Sequence, residues 1–320
     1  MKIVVSDCDH ESMSIEAGLF AAAGLGYTHL ACRTEDAVIA ELPGANVVLN
    51  QYAPFTERVF AALRPDLKLI VRYGVGVDNI DLAAATRHGV QICNVPDYGM
   101  NEVSDHALGL MLALVRKLPF MTELTRDSAW DYRRSIPVRR LGELTVGVLG
   151  VGRIGGLFAR KVAALGCRIV AFDPRRPDLA KRYPDIDFVS FEELLAMSDV
   201  VSVHCPLSPE TRNLIDATAL AGMKSSAVLI NTARGGIVDE TALADALKRG
   251  ALGGAALDTV AAEPLAATSP LRGAPNFLAT PHMAWYSEES ADELNRKVAE
   301  EAIRFVQGKP VRYPVNALPA

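Results

Sequence analysis

The run Gly147-Val148-Leu149-Gly150-Val151-Gly152-Arg153-Ile154-Gly155 decides the fold. It sets G-x-G-x-x-G at Gly150, Gly152 and Gly155, between an apolar strand candidate at 145–149 and a helix candidate at 154–165. The spacing alone is weak evidence, but between a strand and a helix it marks a dinucleotide-binding turn. Gly150 permits the tight turn, Gly152 lets the backbone approach a pyrophosphate, and Gly155 lets the helix pack closely on the strand. The helix start then offers unpaired N–H groups to phosphate. The next strand candidate, 168–172, ends at Asp173. An acidic residue about 20 residues beyond the glycines binds the adenosine ribose hydroxyls and repels a 2′-phosphate. NAD is therefore the expected cofactor, although Arg175 and Arg176 directly after Asp173 keep a 2′-phosphate alternative open.

Outward from this run, short β-branched stretches alternate with longer helical ones. Before it lie strand candidates at 3–5, 47–49, 69–71 and 90–93, with helices at 14–23 and 56–63 and one started by Asp81 as N-cap. A long apolar helix at 101–117 and a charged arm at 126–141, carrying Trp130 and Pro137, connect the two series. After it come strands at 200–203, 227–230, 254–257 and 277–279, helices at 191–197, 218–222 and 240–249, and a last amphipathic helix at 287–307. Repeated β-α units with nearly continuous apolar strands imply parallel sheets covered on both faces. The fold class is α/β, with two Rossmann-like lobes of unequal size.

Composition narrows the function. A chain of 320 residues, half of them hydrophobic, has room for two domains with substantial cores. Its formal net charge of -5, from 33 basic and 38 acidic residues, argues against nucleic acid or an acidic membrane surface as partner. The longest apolar run, 107–115, falls short of the roughly 20 residues a bilayer span needs. Five cysteines without a C-x-x-C pair make disulfide frameworks and zinc ribbons poor readings, so no metal is expected and buried thiols are. A first strand at the very start of the chain, with no leader before it, adds the expectation of a cytoplasmic protein.

Three later segments carry polar groups at strand ends: 231–236, 258–265 and 280–282. With them the sequence resembles the D-isomer-specific 2-hydroxyacid dehydrogenases. The resemblance runs through Arg72-Tyr73-Gly74-Val75-Gly76-Val77-Asp78-Asn79-Ile80-Asp81, the glycine motif with Asp173, and His204-Cys205-Pro206-Leu207. It continues through Asn231-Thr232-Ala233-Arg234-Gly235, Asp258 with Glu263-Pro264-Leu265, and Thr280-Pro281-His282. It implies an NAD-binding domain, 100–284, inserted in a discontinuous substrate domain made of 1–99 and 285–320. It also implies that the lobes close over a small 2-keto or 2-hydroxy acid such as glyoxylate or hydroxypyruvate.

The family's catalytic Arg, Glu and His map onto Arg234, Glu263 and His282. Reducing a keto acid delivers hydride to its C2, and the developing alkoxide then needs a proton. Histidine suits that task, with an ordinary pKa of about 6.5. Glu263 would hold the imidazole and favour its charged form. Arg234 would grip the substrate carboxylate with a planar fork of fixed charge. By the same resemblance Arg72, Tyr73, Gly74, Val75 and Gly76 form the substrate loop. Arg153 and Ile154 lie at the pyrophosphate. Ser104, Pro206, Thr211, Thr232, Ala233 and Asp258 line the rest of the cofactor site, with Asp258 accepting from the nicotinamide carboxamide. Ser104 and Thr211 read equally well as caps or packing residues.

Two departures stand out. Where the family often has Ala-Glu, the chain has Ser104-Asp105, and Asp105 is expected to keep a structural hydrogen bond. After His282 come Ala284-Trp285-Tyr286, where most of the family has small residues. An aromatic there, like Arg72, is similar to the C-terminal-binding proteins, NAD(H)-regulated corepressors on this fold. Trp285 either roofs the substrate pocket or packs at the lobe hinge. The functional alternatives are thus a metabolic dehydrogenase, an NAD(H)-sensing scaffold, and a dehydrogenase of an unusual acid such as formate or a phosphonate. A partner-recruiting tail is not expected after the last helix, so the enzyme is the expected reading. The family's dimer contact maps to helix 101–117 and the arm around Trp130, so a homodimer is expected.

Overall fold

The computed structural model describes residues 1–10, 12–127, 130–175 and 178–318. They divide into two units, Met1–Gly99 with Ser287–Ala320, and Met100–Tyr286. The second boundary lies two residues beyond the sequence expectation, because Ser287 starts the final helix. Its hydroxyl accepts the Ser290 N–H at 3.0 Å, and its own N–H goes to Ser290 Oγ at 2.8 Å.

The first unit runs β1 (Ile3–Val5), α1 (Ser14–Ala22), β2 (Tyr27–His29), α2 (Glu35–Glu41), β3 (Val47–Asn50), α3 (Glu57–Ala62), β4 (Leu69–Arg72), α4 (Leu82–Arg87) and β5 (Gln91–Cys93). Its sheet is parallel, in the order β2-β1-β3-β4-β5. The central strands are fully buried, as their Val and Ile content requires. Asp81 caps α4 by accepting the Ala84 N–H at 2.8 Å. β2 and α2 escaped the sequence reading. β2 is a three-residue edge strand with two exposed positions, so it shows neither alternation nor an apolar run.

The second unit opens with α5 (Met100–Val115) and α6 (Leu118–Arg126). The break between them is Lys117, whose φ of 54° is left-handed, with a proline in the first turn of α6. Then follow β6 (Thr145–Leu149), α7 (Arg153–Ala164), β7 (Arg168–Phe172), α8 (Leu179–Arg182), β8 (Asp187–Phe188), α9 (Phe191–Met197), β9 (Val200–Val203), α10 (Ala217–Ala221), β10 (Val228–Asn231), α11 (Glu240–Lys248), β11 (Gly254–Leu257) and β12 (Phe277–Ala279). The final helix, α12 (Glu288–Val306), returns to the first unit.

The seven strands are parallel, in the order β12-β11-β10-β9-β6-β7-β8. Chain direction across the sheet reverses between β6 and β9, so the crevice beyond their carboxyl ends is the natural ligand position. One face is covered by Ala107 and Met111 of α5 with Phe158 and Val162 of α7, the other by Leu194, Leu220, Leu243 and Leu247.

All five cysteines are free. Cys32, Cys93 and Cys167 are buried, whereas Cys8 and Cys205 are only partly so, against the expectation that all five would be. No helix among the described residues is long and apolar enough to cross a membrane.

Candidate active site

The glycine turn behaves as its spacing predicts. Gly150 has φ of +91°, and a Cβ there would lie 2.9 Å from the Cys205 backbone nitrogen beyond β9. A Cβ on Gly155 would run into the Gly150 carbonyl oxygen, so helix and turn touch backbone to backbone. Gly152 differs, since a Cβ there meets nothing within 4 Å. It is the N-cap of α7 and offers no side-chain cap, so the first-turn N–H groups, including those of Arg153 and Ile154, are not taken by a cap. The turn thus keeps its tightness on the protein side and its room on the side where a pyrophosphate would sit.

Asp173, at the end of β7, accepts the Val151 N–H at 2.9 Å and the Arg175 N–H at 3.3 Å. Arg175 turns its guanidinium to Glu210 at 3.0 Å and Ser208 at 3.2 Å. Its charge is therefore already answered by a carboxylate, which weakens the case for a 2′-phosphate. Arg176 lies outside the described residues. Beyond β9, His204 packs its ring on Phe158 with centroids 4.9 Å apart and meets Ser202 Oγ at 2.8 Å. Burial pushes its pKa down to about 3, so it stays neutral beside the glycine turn.

The polar segments at the ends of β10, β11 and β12 pack on one another. Asn231 braces the first, donating to the Arg234 carbonyl at 2.8 Å and accepting the Ala233 N–H at 3.0 Å. Arg234 is half-buried and donates to the Ala233 carbonyl at 2.7 Å. A Cβ on Gly235 would overlap the Val260 carbonyl, so only glycine lets the Arg234 loop lie against the Glu263 loop. Glu263 accepts from His282 Nδ1 at 2.7 Å and from the Val260 N–H at 3.3 Å. Burial alone would raise the Glu263 pKa, but the hydrogen bond and charge of His282 outweigh it and hold the carboxyl below its usual range. With Nδ1 committed to Glu263, Nε2 is the ring nitrogen not engaged by that carboxylate.

His282 sits at φ of 51°, a left-handed conformation uncommon for a residue with a side chain. Asp258 holds it there. The Asp258 carbonyl accepts the His282 N–H at 2.9 Å. Its carboxylate accepts the Thr280 hydroxyl at 2.6 Å and the Met283 and Ala284 N–H groups at 3.0 Å each. Thr232 Oγ1, predicted at the cofactor, is buried and has no hydrogen-bond partner among the described residues. An orphan hydroxyl next to Ala233, with the open turn at Gly152, fits a bound dinucleotide. Among the described residues no cluster of His, Cys, Asp and Glu could hold a metal ion.

Several expected side chains are already committed elsewhere. Ser104 is buried, donates to the Asn101 carbonyl at 2.9 Å and receives Lys161 Nζ at 2.6 Å. Lys161 also pairs with Asp105 at 2.7 Å, so Ser104 and Asp105 clasp α5 to α7. Thr211 bridges its own loop, donating to the Pro206 carbonyl at 2.7 Å and accepting the Ser208 N–H at 2.8 Å. In the first unit Tyr73 turns inward, 2 % exposed, and its hydroxyl donates to Glu16 at 2.9 Å. Gly74 takes φ of +128° beneath the Arg72 guanidinium, and Val75 forms the exposed tip with its carbonyl held by Asn94 at 2.6 Å. Trp285 is half-buried and stacks edge-on against Tyr286 at 5.6 Å. His106 and Thr280, which meet at 2.9 Å, were not assigned roles from the sequence, and no one-dimensional spacing joins them.

Residues 108–284 match the family described as D-isomer specific 2-hydroxyacid dehydrogenase, NAD binding domain. A glycerate dehydrogenase of Methylorubrum extorquens is 38% identical over 284 residues, covering 87% of this chain and 88% of that protein. A D-3-phosphoglycerate dehydrogenase of Mycobacterium tuberculosis is 39% identical over 281 residues, 88% of this chain and 53% of that protein. The chain thus spans about half the length of this longer relative. Among solved structures, the NAD-dependent formate dehydrogenase of Staphylococcus aureus in complex with NAD superposes with a TM-score of 0.88 at 30% identity, over 100% of both chains. With its glycine turn, its Glu263–His282 pair and these matches, the chain belongs to the D-isomer-specific 2-hydroxyacid dehydrogenase family.

Proposed function

We propose that the protein is an NAD-dependent reductase of a small 2-keto acid, running in reverse as a D-2-hydroxyacid dehydrogenase. The observation that carries this reading is the 2.7 Å pair of His282 Nδ1 and Glu263, beside the Arg234 loop. Gly150, Gly152, Arg153, Ile154 and Gly155 would hold the pyrophosphate, Asp173 the ribose hydroxyls, and Thr232, Ala233 and Asp258 the nicotinamide side. When bound, NADH supplies the hydride for C2 of the acid. Arg234 binds the substrate carboxylate, His282 Nε2 gives its proton to the alkoxide oxygen, and Glu263 stabilises the imidazolium until then. In the first unit, the backbone N–H groups at 74–76 are the proposed anion nest. The ion pair of Arg175 with Glu210 supports NAD over NADP.

The test is a panel of glyoxylate, hydroxypyruvate, pyruvate, phenylpyruvate, a thioether keto acid and phosphonopyruvate, each with NADH and NADPH. Turnover of one acid at kcat/KM of about 10⁴ M⁻¹s⁻¹ or better, with NADH preferred, is expected. Tight NADH binding with only trace turnover on every acid overturns the reading in favour of a sensor or an unusual acid. We also propose a homodimer through the arm, where Trp130 is 90% and Tyr132 76% exposed. Light scattering on the intact protein and on Trp130→Glu tests this, and a wild-type monomer refutes it.

A further inference from the structure

We propose that His106 of α5 is a positioning residue for His282, acting through the Thr280 hydroxyl and the Asp258 carboxylate. The proposal rests on the assignment of His282 as the proton donor. Its chemistry starts at Thr280. The hydroxyl lies 2.6 Å from Asp258 Oδ1 and 2.9 Å from His106 Nε2. A carboxylate only accepts, so the hydroxyl proton points to Asp258. The same oxygen must then accept from His106, which fixes His106 with a proton on Nε2. The result is a directed chain from His106 N–H to the Thr280 hydroxyl to the Asp258 carboxylate. His106 Nε2 itself lies 3.7 Å from Asp258 Oδ1.

The far end of that chain is the strained backbone at His282. Asp258 is 2 % exposed, and its carboxylate takes three donors from residues 280–284. Those bonds flank the left-handed residue and set the direction in which its imidazole leaves the backbone. Asp258 is therefore an anchor whose grip depends on each donor pointing one way. Without His106 N–H, the Thr280 oxygen loses a donor that locks its rotor, and the charge-assisted bond from the hydroxyl to Asp258 is aimed less firmly. A shift of about 0.5 Å in a catalytic side chain is enough to cost rate, because proton transfer needs a near-attack geometry. His106 sits on a helix whose neighbours Ala107, Leu110 and Met111 are buried in the core of the unit, so its own position is fixed by packing.

The experiment compares His106→Leu, His106→Gln and Thr280→Val, singly and with the double variant His106→Leu/Thr280→Val. Glutamine carries an N–H donor near the place of Nε2, whereas leucine fills the volume without one. Expected results are a five- to tenfold fall in kcat for His106→Leu and Thr280→Val with KM for NADH unchanged. The double variant should be no slower than Thr280→Val alone, and His106→Gln should stay within about twofold of wild type. Multiplied losses in the double variant, or equal losses in the Gln and Leu variants, overturn the proposal. A second readout needs no turnover: the ring-nitrogen NMR signals of His282, assigned by comparison with His282→Gln. These should move in His106→Leu and Thr280→Val and stay put in His106→Gln. If no acid is turned over but the signals move as expected, the reaction assignment fails and the anchor stands. If turnover is found and neither rate nor signal changes in His106→Leu, the anchor alone fails.

Discussion

Replacing Glu263 by glutamine keeps an acceptor against His282 Nδ1 and removes the negative charge. Two unit charges about 4 Å apart attract by about 4 kcal/mol at an effective dielectric of about 20, and by about 1 kcal/mol in bulk water. The side chains of His282 and Glu263 are 34% and 38% exposed, so water screens the pair. The lower end applies, about 1–1.5 kcal/mol for the imidazolium. That is roughly a tenfold loss in a step that needs the charged ring. Glu263→Gln should therefore lower kcat for keto-acid reduction about tenfold while the NADH dissociation constant holds. Glu263→Ala also strands the Val260 N–H and releases the ring, and should cost about 100-fold. The pH profile carries a further check. His282 holds the Glu263 carboxyl below its usual range even though burial works the other way, so the carboxylate is charged throughout the neutral range. Its stabilising contribution is complete above the unfolded value of about 4.3 and is lost as pH falls through the lower folded value. Protonating that carboxylate removes the charge beside the ring, so the wild-type rate should fall on the acid side as pH drops through the lowered Glu263 value, and the Gln variant should lack that acid limb. Steady-state rates from about pH 3 to pH 7 decide the matter. A Gln variant with wild-type kcat and an unchanged acid limb would refute the coupling of these two residues in catalysis.

Three other outcomes are expected. His282→Ala should lower kcat by about 100-fold or more with NADH affinity intact by calorimetry, and a near wild-type rate would place the acid elsewhere. Asp173→Asn keeps an acceptor for the Val151 N–H and removes the charge, so the ratio of kcat/KM for NADH over NADPH should fall about tenfold or more; an unchanged ratio takes Asp173 out of cofactor choice. Glu16 is buried with one oxygen on the Tyr73 hydroxyl and the other without a partner among the described residues, and burial raises its pKa. The folded state then binds more protons than the unfolded one, so stability declines as pH rises from the unfolded value of about 4.3 through the folded one. Melting curves of Glu16→Gln should fall off less than wild type between about pH 5 and pH 8, and parallel curves would show that Glu16 carries no such burden.

The fold was legible because parallel strands buried on both faces read as apolar runs, and each sheet repeats that signal. Val47, Val48 and Leu49, or Val200 through Val203, need no tertiary context to be recognised. Elements that fail this condition were missed. β2 is an exposed edge, β8 has two residues, and α6 has no buried residue. The helix end at Lys117 was legible, since the expected helix 101–117 stops there and Pro119 follows, whereas the continuation into α6 was not.

The site divides along the same physical line. The glycine turn announces itself by spacing, because Gly150 and Gly155 leave no room for a Cβ, Gly152 leaves room where a ligand would approach, and the strand and helix fix the interval. Arg234, Glu263 and His282 are each at the end of a different strand, so only the order of several motifs singles them out. What holds them is less visible still. Gly235 reads as an ordinary loop glycine until the Val260 carbonyl is seen where its Cβ would be. Asp258 reads as a cofactor contact, yet three bonds from residues 280–284 show that its carboxylate first secures the histidine loop. Both roles are compatible, since Oδ2 takes one donor, from Ala284, and a carboxylate oxygen has room for another. An anchor that also meets the cofactor would link nicotinamide binding to the pose of His282. On the proposed reading, that link would make the bonds to Asp258, rather than the identity of His282 alone, the feature that tunes proton delivery.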